Sequence, residues 1–193
     1  MLARTVLALS LAVRVYDNTG LDRADRANAL AVAHDILRDA GVDVAWREGR
    51  DADDPPAATD LILRIVGASP QTPPDSLGFS LVDVERRTGT LATVFADRVA
   101  SLAALAGADV GRLLGRAMAH EIGHLLVGTT RHADRGLMRS TWTTVELQRD
   151  QPWDWEFGPD DVARLRRGLI ARARRVDPPA AVAQTRTART PRS

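Results

Sequence analysis

The sequence predicts an α+β domain: a twisted, mixed and mostly parallel sheet with one backing helix, a central helix and a C-terminal helix. Two observations carry this. Short Val- and Leu-rich runs alternate with a helical period in the first half of the chain. A later segment near residues 110–126 is apolar on more than one face, which places it inside the domain rather than on it.

The elements follow in order. Residues 5–16 read as a first strand, ended by Asp17-Asn18-Thr19-Gly20, whose residue types favour a turn. A helix is predicted over 22–40, with Ala27, Leu30, Ala31, His34 and Leu37 as its apolar stripe and Gly41 as its stop. A strand over 42–46 completes a β-α-β unit, which favours parallel pairing. The acidic, Pro-containing stretch 50–59 reads as a loop and 61–66 as a buried strand. Prolines mark 68–75 as another loop. Two apolar segments, 77–84 and 91–95, flank a polar insert, and the first is the candidate edge strand. A short helix over 99–106 precedes the central one, for which Asp109 is the N-cap and Gly128 the stop. Residues 129–155 read as mostly irregular. A last helix opens at Phe157-Gly158-Pro159-Asp160-Asp161, with Val162, Leu165, Leu169 and Ile170 inward. The domain therefore spans 1–173, and 174–193 is an Arg-, Pro- and Ala-rich tail without period, expected to be disordered.

Composition narrows the function classes. With 193 residues and 45% hydrophobic content, the chain can bury one core. A net charge of +1 gives no overall pull toward nucleic acid, and every basic residue is Arg. The arginines of the last helix and tail lack interleaved aromatics and read as a solvated face, so no nucleic-acid partner is expected. Cysteine is absent, which excludes disulfides and thiolate ligands. No stretch reaches the ~20 apolar residues of a membrane span. The start of the chain, residues 2–13, is read two ways: as a first strand or as a short signal-like segment that would mean export.

The chemistry concentrates in His120-Glu121-Ile122-Gly123-His124, an H-E-x-x-H pattern on the central helix. Residues four apart share a helix face, so two imidazoles can reach one ion at ~2.0–2.1 Å. Glu121 lies beside them and can take a proton from water on that ion, whose pKa zinc lowers toward ~7. His132 follows shortly, so three of the four histidines fall within one short segment. His34, alone on a helix stripe, reads as structural. A catalytic zinc takes three protein ligands, and His132 is the preferred third. Glu146 and Glu156 are the alternatives, and Asp134 is a candidate partner for an imidazole.

The segment His120-Glu121-Ile122-Gly123-His124, Gly128, His132 and then Gly136-Leu137-Met138 resembles the metzincin signature, H-E-x-x-H-x-x-G-x-x-H followed by a Met-turn. It departs from that pattern: Gly128 and His132 each come later than the signature places them, so the loop after the helix is two residues longer. The predicted order of elements is similar to that of metzincin catalytic domains. The resemblance implies a zincin-like fold, a bound Zn2+, a Met-turn methionine at Met138 and a peptide or protein substrate laid along the edge strand at Gly78, Phe79, Ser80 and Leu81. It also implies that Trp142 lines the pocket beside the scissile bond. The sole Tyr, Tyr16, is far upstream, so no Tyr is available to stabilise an oxyanion.

The expected function is a zinc-dependent metallopeptidase, with Glu121 as general base. The alternative is a catalytically inactive zinc-binding or interaction domain on the same scaffold.

Overall fold

The computed structural model describes residues 9–49, 60–73 and 75–176. Residues 1–8 of the signal-like start, the acidic loop 50–59 and the tail beyond 176 lie outside the described residues, and residues 9–13 of that start are part of the first strand.

Five strands form one sheet in the order β2-β1-β3-β5-β4: β1 (Leu9–Asp17), β2 (Val42–Glu48), β3 (Leu61–Val66), β4 (Gly78–Asp83) and β5 (Thr88–Phe95). β1 pairs parallel with β2 and β3, and β3 parallel with β5, while β4 runs antiparallel to β5. The mixed, mostly parallel sheet is the one expected. Alternation sets which side is buried: Leu61, Leu63 and Ile65 of β3 face the helices and are fully buried.

Two strands run longer than expected. β2 continues to Glu48 because its parallel ladder with β1 extends to Val15↔Glu48. β5 begins at Thr88, since it forms a hairpin with β4 through Asp83↔Thr88. The polar insert is therefore only a tight turn, with Arg87 at φ 49°.

The helix α1 (Arg23–Asp39) is capped by Asp22, whose side chain accepts from the Ala24 N–H. Its buried stripe is Ala29, Ala33 and Leu37; Ala27 and Ala31, expected inside, are exposed. The reason is the neighbouring helix α3 (Val110–Val127). A Cβ on its Gly115 would stand 2.5 Å from the Ala29 carbonyl oxygen, and one on Gly111 would stand 2.7 Å from that of Asp25. Backbone-to-backbone approach selects small residues on both helices, and that selection outweighs a stripe drawn from hydrophobicity alone.

α3 is the centre of the molecule. Leu113, Leu114, Met118 and Ile122 are fully buried, and Leu125 and Leu126 nearly so. It packs against α1, β4, β5, α2 (Ala96–Ala106) and α5 (Pro159–Val176). Asp109 caps its start by accepting from the Arg112 N–H at 2.7 Å. Gly128 ends it at φ 71°, and its N–H returns to the His124 carbonyl at 2.9 Å. A Cβ at Gly128 would meet the Arg87 backbone at 2.5–2.7 Å, so the β4–β5 turn is seated against this end of the helix.

The region expected to be mostly irregular holds a helix, α4 (Thr144–Arg149), and a 3-10 turn at Pro152–Asp154. α5 runs on to Val176, past the expected boundary at 173, and buries Leu165 and Leu169 but leaves Ile170 exposed. No helix among the described residues is long and apolar enough to cross a membrane.

Candidate metal centre

His120, Glu121 and His124 all lie on α3 and are buried. Each buried imidazole is oriented by a backbone carbonyl. His120 Nδ1 lies 2.9 Å from the Leu137 oxygen, and His124 Nδ1 lies 2.8 Å from the Thr129 oxygen. A carbonyl only accepts, so each Nδ1 must donate, and each Nε2 of a neutral ring is left as a lone pair. The two Nε2 atoms face each other at 3.0 Å. Two lone pairs at that distance repel unless a proton or a cation lies between them.

His132 supplies the third imidazole. Its ring centroid is 5.3 Å from that of His120 and 4.9 Å from that of His124. One nitrogen from each ring falls within 4.8 Å of the other two, the only such cluster of potential metal ligands among the described residues. His132 is exposed, unlike the other two. The longer loop still delivers it. Gly128 reverses the chain, Thr129 is pinned by its bond to His124, and the Ala133 N–H bonds the Met138 carbonyl at 2.8 Å.

Burial sets the charge state. It pushes His120 down to about 3, with the positive fields of His124 and His132 adding to the depression and the Leu137 bond opposing it. It pushes His124 down to about 4, with Thr129 opposing, and lowers His132 as well. All three rings are thus neutral donors at pH 7, the form that binds a metal. Burial raises the Glu121 carboxyl to about 7 against the opposing hydrogen bond from Ser80. Neutral, pre-oriented nitrogens with convergent lone pairs fit a borderline divalent cation such as zinc.

Met138 is buried, and a Cβ on Gly123 would stand 2.9 Å from its sulfur and 2.7 Å from Phe157 Cε1. The methionine therefore packs against α3 at Gly123. Trp142 meets His120 edge-on at 5.7 Å and Trp155 edge-on at 5.5 Å, and the Arg116 guanidinium lies 3.9 Å from the Trp155 ring centre.

The alternative ligands are placed elsewhere. Glu146 closes a capping box with Thr143 at the start of α4 and is ion-paired with Arg139. It belongs to a helix after all, but not to the metal cluster. Glu156 contributes its carbonyl to the Leu137 N–H at 2.8 Å and is also outside the cluster. The Nδ1 partners of the two buried imidazoles are carbonyls, not Asp134. His34 is half-buried on α1 and outside the cluster.

β4 is the edge strand and passes directly over Glu121. Ser80 Oγ is 2.6 Å from Glu121 Oε2 and 2.8 Å from the Glu121 carbonyl oxygen. Gly78 also faces the carboxyl. Phe79 and Leu81 alternate to the other side and are exposed, with Phe79 against Phe95 at 6.0 Å between ring centroids. A cleft of about 600 Å³ opens at the site, lined by His120, Glu121, His132 and Trp142, with Leu102 and Leu105 of α2 as an apolar wall. The sequence gives no signal for that wall, because a solvent-facing Leu on a short helix looks like any other. The two carbonyl partners are equally invisible in a sequence, since every residue carries one.

No protein-family model matches the chain, and no curated protein matches it. Among solved structures, the fold is similar to the crystal structure of archaemetzincin (amzA) from Methanopyrus kandleri. That similarity has a TM-score of 0.59 at 13% sequence identity, covering 88% of this chain and 99% of the other. At that identity the likeness establishes a shared fold, an archaemetzincin-like mixed α/β architecture, around a three-histidine cluster that could bind a metal.

Proposed function

We propose that this chain is a zinc-dependent hydrolase of peptide bonds. The observation that carries the proposal is the convergence of three neutral imidazole nitrogens within 4.8 Å of one another, beside a buried carboxyl raised to about 7. His120, His124 and His132 would hold the ion. Zinc bound there would polarise a substrate carbonyl and acidify a water.

The chain's own groups do the rest. Glu121 takes the proton of the attacking water and hands it to the departing amine, a task suited to a carboxyl buried beside the imidazole cluster. The carbonyls of Leu137 and Thr129 keep the imidazoles in the ligating tautomer. Met138 supports the helix beneath the site in the manner of a Met-turn residue, and Trp142 walls the cleft beside His120. The substrate backbone would pair with the outer edge of β4 along Gly78, Phe79, Ser80 and Leu81, consistent with an edge position in the sheet.

The test is Glu121→Gln. The variant should keep about one equivalent of zinc and lose at least ~100-fold in cleavage of a mixed peptide substrate. Equal cleavage by variant and wild type would refute the assignment. Zinc binding without turnover by the wild type would instead leave a metal-binding domain.

A further inference from the structure

We propose that β4 is a clamp on Glu121, with Ser80 as a positioning residue for that carboxyl; the inference rests on the hydrolase reading and deepens it. Two inward-facing positions of one strand meet one side chain. Ser80 donates to Glu121 Oε2 at 2.6 Å, within the range of a charge-assisted O–H···O⁻ bond. Its oxygen is also 2.8 Å from the Glu121 carbonyl oxygen, so the hydroxyl sits against both ends of the same residue. Two strand positions away, Gly78 makes the space. A Cβ there would stand 2.9 Å from Glu121 Oε1, 3.0 Å from its Cγ and 2.6 Å from the Thr93 carbonyl oxygen. Any side chain at 78 would push the carboxyl out of its slot or lift the strand off β5.

The clamp is anchored by the sheet, not by the cleft. The registers Gly78↔Val94 and Ser80↔Ala92 tie both positions to β5. Val94 and Ala92 are fully buried, so the anchor is the core itself. A glutamate has three rotatable bonds, and holding it at one oxygen removes freedom it would otherwise lose on reaching the reacting geometry. Both hydrogen bonds of the Ser80 hydroxyl go to Glu121 and Ser80 is not a member of the metal cluster, so its effect passes through Glu121.

The test uses the full chain loaded with zinc and titrated with acetohydroxamic acid, which would chelate zinc as the hydroxamate while the neighbouring carboxylate takes up its hydroxyl proton. Calorimetry reads its affinity, and a competing chelator reads that of zinc. Ser80→Ala and Ser80→Cys should each bind acetohydroxamate about tenfold more weakly while zinc affinity stays within about twofold. Ser80→Thr, which keeps the hydroxyl, should restore binding. In a Glu121→Ala background the Ser80→Ala loss should disappear, because nothing remains to be positioned. Wild-type affinity in both Ser80→Ala and Ser80→Cys, or an undiminished loss in the Glu121→Ala background, overturns the clamp and leaves the zinc site intact. Failure of the wild-type chain to take up zinc overturns the hydrolase reading, and the clamp with it.

Discussion

Met138 occupies the place where a side chain on Gly123 would have to stand: its sulfur lies 2.9 Å from that Cβ position, with Phe157 Cε1 at 2.7 Å on the other side. Alanine is a better helix former than glycine by about 1 kcal/mol, so propensity alone would make Gly123→Ala stabilising. Overpacking a buried contact costs about 1–3 kcal/mol, and here two buried side chains must move. Gly123→Ala should therefore lower the melting temperature of the metal-free protein and weaken zinc binding, since the displaced turn carries the Leu137 carbonyl that orients His120. Thermal denaturation with and without zinc checks both signs.

The three histidines differ in what they do for the metal-free fold. His120 and His124 are buried and bonded to carbonyls, while His132 is exposed. His132→Ala should leave metal-free stability within about 0.5 kcal/mol of wild type and cut zinc affinity by more than about 100-fold. His120→Ala should damage both, because it leaves the Leu137 carbonyl without its donor. Chemical denaturation and a zinc-competition assay on the two variants separate ligation from packing.

The protonation of Glu121 gives a pH signature in the metal-free protein. Its folded value of about 7 lies above the ordinary 4.5, so the folded state binds the proton more tightly. The resulting stability is fully present below 4.5 and is lost as pH rises through about 7. Histidines held near 3 and 4 act in the opposite sense: their stability is present above 6.5 and is lost as pH falls toward those values. Of these three groups, only the glutamate matters at pH 8. Glu121→Gln, permanently neutral, should be more stable than wild type at pH 8 by about 3 kcal/mol and show no advantage at pH 4. Denaturant titrations at the two pH values measure the difference.

Metal removal should show in the melting temperature by mass action. Free zinc at about 100 times its dissociation constant adds about 2.7 kcal/mol to the folded state. For a chain of this size that is a rise of roughly 5–10 °C, reversed by a chelator. Magnesium should give no such rise, because it prefers an octahedral oxygen shell that three imidazoles do not offer.

Much of this architecture was legible in the residues because the signals were local and strong. β3 spans the expected 61–66, and α3 begins where Asp109 offers a cap and ends where Gly128 permits a left-handed turn. The approach of three imidazoles to one point was also foreseeable, since two share a helix face and the third follows within one loop. α4 was missed although Thr143 and Glu146 spell a capping box, because its six residues are too short to show an apolar period. The stripe of α1 was misplaced for a non-local reason: Gly111 and Gly115 of a helix far along the chain decide which of its alanines are covered. The resemblance implies a substrate-binding role for Ser80, while its hydroxyl contact with Glu121 spans forty-one residues and has no local signal. Contacts across long stretches of chain leave no periodicity to read.

The most direct measurement is zinc content and X-ray absorption at the zinc edge on protein purified without an affinity tag. The account predicts about one zinc per chain with three imidazole nitrogens at ~2.0–2.1 Å, falling to two in His132→Ala. A zinc content below about half an equivalent, or a wild-type shell with only two imidazoles, would contradict it.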